Sequence, residues 1–150
     1  MSNQVARTRL HEYLTLEEAG KFHGHLGPFV VIGYRIGSYA VSKLDPEDEF
    51  DLEVALYIPL KTPFSCIIDG IQCSTKCTLG KWNIKWFNSD DFRIEIKCKS
   101  KNKLMIALIK KSVIEEALTC SDVVETVKKL QKMDLNYIAD INVAPITPSS

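Results

Sequence analysis

The segment from Thr62 to Lys81, TPFSCIIDGIQCSTKCTLGK, gathers three of the chain's five cysteines with a carboxylate, an amide and two lysines. Read as a helix, it puts Cys66, Asp69, Cys73 and Cys77 at i, i+3, i+7 and i+11, along one side of the helix and its exit. Thr62 as N-cap and Pro63 at the first helical position predict where the helix begins. That start sets Ser65 and Cys66 in the first turn, where exposed amides and the helix dipole favour a thiolate. The natural partner is His23-Gly24-His25, about forty residues upstream, whose glycine neighbours let the backbone approach something bound.

Zinc-type metal binding needs thiolate and neutral imidazole donors converging on one point. A helix face with Cys66 and Cys77 opposite His23 and His25 supplies those types. The chain lacks the tight CxxC pair of a structural finger, so ligands from distant segments suggest an open or catalytic site. Asp69 lies one turn from both Cys66 and Cys73. It is placed to orient a metal-bound histidine or to act as general base on a metal-bound water, with the Cys66 thiolate as the other candidate reagent. Gln72 and Thr78 offer neutral hydrogen bonds to a ligand and Lys81 a cation for an anionic one. The plain alternatives stay open: cysteines often simply pack, and polar helix residues are often merely solvated. Cys73 is either a packing residue or half of a CxxxC redox couple with Cys77. Cys98 and Cys120 read as structural, and His11 as a solvated surface residue.

The elements that must hold these groups are legible in outline. Thr15-Leu16-Glu17-Glu18 is a capping-box pattern, predicting a helix from Leu16 to His23. Pro28 opens a second helix through PFVVIGYRIGSYAVSKL, apolar nearly all round and therefore buried. Its Gly33 and Gly37 predict close packing against another backbone, within the subunit or across a dimer. Leu52 to Leu60 alternates as a strand, and Trp82–Phe87, Phe92–Cys98 and Lys103–Ile109 read as three more in an antiparallel meander. Two helices follow, the second capped by Ser121, and Asn136–Val143 is a last extended stretch. The predicted class is α+β, an antiparallel sheet packed with helices in a single domain over residues 1–150, with 1–12 and 144–150 as frayed ends.

With 150 residues, 45% of them hydrophobic, the chain can bury one core. Lys+Arg and Asp+Glu balance at 19 each, which gives no electrostatic reason to expect nucleic acid or an anionic membrane as partner. The basic run Lys97–Lys103 reads as a solvated hairpin turn. No apolar signal core and no membrane-length run is present, so the expected location is the cytoplasm, where five cysteines are free thiols or metal ligands.

The segments FHGHLGPFVVIGYRIGSYA and CIIDGIQCSTKCTLGKWNI resemble the FmdE family, named after a component of formylmethanofuran dehydrogenase, whose motifs run GHxCPG…G and C…DAIQ…GCTxGK. Cys66, Asp69, Ile71, Gln72, Cys77, Thr78, Gly80 and Lys81 carry the second motif. The resemblance implies an α+β core, a homodimer, and a cleft where the His and Cys motifs meet and a metal ion, often zinc, binds. Gly27 stands where the family usually has a cysteine, Gly70 where it has alanine, and no cysteine-rich zinc ribbon follows the domain in this sequence. The functional expectation is a zinc-binding FmdE-like protein, acting on an unidentified substrate if it is an enzyme. The alternatives are an accessory subunit of a one-carbon or molybdenum enzyme system, and a thiol redox module using Cys73 and Cys77.

Overall fold

The computed structural model describes residues 12–146; His11, most of the polar leader and residues 147–150 of the tail lie outside the described residues. Helix α1 spans Leu16–His23 and starts as its sequence predicts. Thr15 Oγ1 accepts from the Glu18 amide at 3.1 Å and Glu18 Oε1 from the Thr15 amide at 2.8 Å, satisfying two amides that the helix leaves unpaired. It stops because Gly24 takes the left-handed conformation, φ 117°, and donates its N–H back to Gly20.

Helix α2, Pro28–Leu44, is the centre of the core, with Ile32, Ile36 and Leu44 at most 1% exposed. Burying each such side chain contributes about 1.5–3 kcal/mol, whereas each helical glycine costs about 1 kcal/mol, so the helix holds despite Gly33 and Gly37. Those glycines pack inside the subunit, against helix α3, Cys66–Thr75. A Cβ on Gly33 would lie 2.2 Å from the Ile67 carbonyl oxygen, and one on Gly70 of α3 would lie 2.2 Å from that of Val30. Bare backbone on both helices is what lets α3 come this close.

The sheet contains β1 Leu52–Ile58, β2 Ile84–Asn88, β3 Arg93–Cys98, β4 Lys103–Ile109 and β5 Ala139–Pro145, in the order β2-β1-β3-β4-β5. The predicted meander is therefore correct only for β3 and β4. β1 inserts between β2 and β3, pairing parallel with β2 and antiparallel with β3. A parallel pair needs a crossover, and α3 is that crossover. β5 pairs with β4 as far as Pro145, so part of the tail expected to fray is held in the sheet. Alternate residues of β1 (Leu52, Val54, Leu56, Ile58) are buried and pack in the same core as Ile32 and Ile36.

Helices α4 Lys111–Thr119, α5 Val123–Lys132 and α6 Leu135–Ile138 lie between β4 and β5. Asp122, and not Ser121, caps α5, accepting from the Glu125 amide at 3.1 Å. The other end of α5 is held by Arg35 of α2, whose guanidinium donates to the carbonyls of Leu130 and Met133. Asp51, only 7% exposed, ties the start of β1 to the β3–β4 turn by accepting from the Ser100 amide at 2.8 Å, the Ser100 hydroxyl at 2.5 Å and the Glu47 amide at 2.9 Å. Burial alone would raise this carboxyl's pKa; the hydrogen bonds from Ser100 and Glu47 outweigh burial and hold it below the usual value.

Candidate functional site

The last residue of α1 meets the first turn of α3. His23 Nδ1 lies 2.6 Å from Asp69 Oδ2, with the two side chains 13% and 33% exposed. A carboxylate can only accept, so Nδ1 carries the proton, and in the neutral ring Nε2 is left with a lone pair. This is how a protein fixes a histidine's tautomer for ligation or proton transfer. The His25 ring stands beside His23, centroid to centroid 5.2 Å. The chain reverses between them because Gly24 adopts the left-handed conformation noted above.

Asp69 also organises its own helix. Gln72 Nε2 reaches Asp69 Oδ1 at 3.5 Å, while Gln72 Oε1 accepts from the Leu79 amide at 3.0 Å. Cys66 and Cys73 lie on either side of Asp69 along α3; Cys73 is buried with Val30 and Ala19 in a small cluster apart from the main core, and Cys66 packs against both that cluster and the main core. Burial raises the Cys73 pKa to about 11, and the Asp69 charge adds to it; the same two causes, in the same order, raise Cys66. The expected thiolate at Cys66 is therefore corrected. The chain spends residues 62–65 in a turn, and α3 begins at Cys66 with no side-chain cap from Thr62. The amides of Cys66, Ile67 and Ile68 already donate to the carbonyls of Pro63, Phe64 and Ser65, which removes the free donors that would have stabilised an anion.

Cys77 does not join the histidines. It is fully buried in the main core, with its thiol 3.4 Å from the Leu52 carbonyl oxygen, and burial raises its pKa to about 11. Cys66 opens α3 and Cys77 lies beyond its end, so they are separated by roughly 15 Å at 1.5 Å per residue. Two sulfurs on one zinc, each about 2.3 Å from the metal, sit within about 4 Å of each other. One ion cannot take both. Cys73 and Cys77 belong to different packing clusters, and both are free thiols.

Thr78 and Lys81 are also at the far end of α3. The Lys81 ammonium donates to Thr78 Oγ1 at 2.8 Å across the 3-10 turn Leu79–Lys81, and the Thr78 amide donates to Asn83 Oδ1 at 3.0 Å. Of the candidate site residues, His23, His25, Cys66, Asp69 and Gln72 gather around the α1–α3 junction, and Cys77, Thr78 and Lys81 do not. Leu26 and Tyr34 pack against the Cys66–Cys73 side without any sequence signal of it, since nothing local marks an apolar residue as lying near a site.

Among the described residues, no group of three or more His, Cys, Asp or Glu side chains stands close enough to hold a metal ion. These side chains therefore do not form a closed three- or four-ligand zinc site; what the junction does hold is a histidine, His23, oriented by Asp69. Among the same residues no helix is long and apolar enough to cross a membrane.

The crystal structure of a tungsten formylmethanofuran dehydrogenase FmdE-like protein from Syntrophus aciditrophicus matches with a TM-score of 0.61 over 89% of this chain and 71% of that one, at 15% identity, a likeness of fold. A probable S-adenosyl-L-methionine-binding protein of Archaeoglobus fulgidus is 39% identical over 66 residues, 43% of this chain. That match spans only 18% of the relative's length. The family described as FmdE, Molybdenum formylmethanofuran dehydrogenase operon, matches residues 22–141, and with most of its length so matched the chain belongs to the FmdE family.

Proposed function

We propose that the chain is a cytoplasmic, homodimeric accessory protein of a molybdenum- or tungsten-dependent one-carbon enzyme system, and that its working centre is an open metal site at the α1–α3 junction. His23 would hold the ion through Nε2, with Asp69 orienting it, the neighbouring His25 as a second donor, and water or a small molecule in the remaining positions. Zinc is an ion that imidazole donors and water hold in open sites. Bound there, it would supply a Lewis acid with positions left for water or a small molecule.

The observation that carries this reading is the 2.6 Å contact between His23 Nδ1 and Asp69 Oδ2. A carboxylate on the remote ring nitrogen is the usual support of a ligating histidine, and losing such a partner typically weakens metal binding about 10- to 100-fold. Family membership supports the one-carbon context. The edge position of β2, with Trp86 and Phe87 exposed, supports pairing between two copies.

Zinc titration against a chromophoric chelator tests the site. His23→Ala is expected to abolish competition, Asp69→Asn to weaken it by about tenfold or more, and Cys77→Ala to leave it unchanged. Equal zinc affinity in wild type and His23→Ala would overturn the assignment. Co-purification with a larger one-carbon oxidoreductase tests the accessory role.

A further inference from the structure

A cavity of about 730 Å³ lies at the carboxyl ends of the parallel strands β1 and β2. In open α/β sheets ligands bind at the carboxyl ends of parallel strands, and this sheet has one such parallel pair; the volume is in the range of small-molecule sites. Its apolar lining is Phe64, Phe92, Ile114 and Leu118. Phe64 and Phe92 meet edge to face with centroids 5.6 Å apart, and Phe29 packs behind Phe64 at the same distance. The mouth is shaped by the loop after β1, pinned where the Leu60 amide donates to Asn88 Oδ1 at 3.0 Å.

Two features separate this cavity from an ordinary surface dent. Phe92 is held at φ 50°, a conformation rare for a bulky residue and concentrated at functional sites, and its carbonyl is fixed by the Ile109 amide at 3.0 Å. The walls also carry two cations, Lys61 and Lys111, and two anions, Asp90 and Glu115. Among the described residues none of the four forms an ion pair or a side-chain hydrogen bond; Lys61 has only the Phe64 ring, 5.9 Å away. The four charges are solvent-exposed and without an ion partner, and their balanced signs beside the two phenyl rings complement a ligand that carries both signs and a flat apolar body.

We propose that this cavity binds a zwitterionic small molecule of the aromatic α-amino-acid class, its carboxylate toward Lys61 and Lys111, its ammonium toward Asp90 and Glu115, and its ring on Phe64 and Phe92. The site is independent of the metal reading.

The test is a nitrogen-15 amide shift titration of the full chain with L-tryptophan, run beside tryptamine and indole-3-propionate, which each keep one charge. Saturable shifts confined to residues 59–64, 88–92 and 111–118 are expected with L-tryptophan at up to about 10 mM, enough to fill a millimolar site. The single-charge analogues and the surface variants Lys111→Met and Glu115→Gln are each expected to bind about tenfold more weakly, with unchanged melting temperature. Absence of shifts at these residues, or equal binding of all three compounds, would overturn the proposal.

Discussion

Replacing Gly70 by alanine tests whether the α2–α3 crossing is what brings Asp69 to His23. The new Cβ would lie 2.2 Å from the Val30 carbonyl oxygen and 2.6 Å from the Tyr34 amide nitrogen. Ordinary carbon–oxygen approach is about 3.3–3.6 Å, so the helices must part by roughly 1 Å. Overpacking of this kind costs about 1–3 kcal/mol, and obstruction by two main-chain groups argues for at least the upper end. Alanine's better helix propensity returns about 1 kcal/mol, leaving a net loss of about 2 kcal/mol or more. At about 2–4 °C per kcal/mol for a domain of this size, the melting temperature should fall by about 4–8 °C. Urea unfolding followed by circular dichroism measures the loss. The Nδ1 proton resonance of His23 should weaken too, because Asp69 precedes the substituted residue. Gly80→Ala is the control: nothing lies within 4 Å of its Cβ, and it should stay within about 0.5 kcal/mol of wild type. A Gly70→Ala protein as stable as the control variant would refute the packing argument.

Two more predictions concern titrating groups. The Asp51 carboxyl titrates below its unfolded value, so its stabilisation is complete above that unfolded value and is lost as pH falls through the lower folded one. Asp51→Asn should cost on the order of 1–3 kcal/mol at neutral pH and flatten the acid limb of a stability–pH curve; an unchanged limb would count against the Ser100 hydrogen bonds. With the pKa of Cys73 and of Cys77 raised to about 11, both should stay unmodified by a thiol reagent at neutral pH in the native protein. The half-buried Cys66 and Cys120 should be the thiols that react before unfolding, and rapid labelling of Cys77 would contradict its place in the core.

What the sequence revealed and what it hid divide along local and non-local lines. The Thr15–Glu18 box and Pro28 act within a few residues, and α1 and α2 begin where those signals say. Asp69 was legible as a histidine's orienting carboxylate because its spacing and apolar flanks set it on a packed face. The insertion of β1 between β2 and β3 was hidden, since pairing depends on which strands the crossover helix brings together. The start of α3 misled for a different reason. Thr62-Pro63 has the chemistry of a cap and first turn, yet the backbone closes residues 62–65 into a turn first. Cysteine was the least informative type: Cys66 borders the site and Cys77 fills the core, and side-chain chemistry alone does not separate them. The cavity lining was invisible because Phe64, Phe92 and Leu118 come from three separate segments, two of them outside any helix or strand.

The glycine crossing also determines how the protein can drift. What stands in the way of a side chain at Gly33 or Gly70 is main-chain oxygen and nitrogen, present whatever residues occupy Ile67, Val30 and Tyr34. No second-site substitution trims a carbonyl, so a lost glycine there has no single-step suppressor at the contact. Gly37 differs, because its nearest obstacle is the hydroxyl of Ser74, 2.0 Å from the added carbon. Both obstacles there are side chains, the Ser74 hydroxyl and the Thr75 methyl at 2.9 Å, so Ser74→Gly together with a smaller or re-oriented residue at 75 could make room, and that position is the one along the seam where descent by compensating changes can proceed.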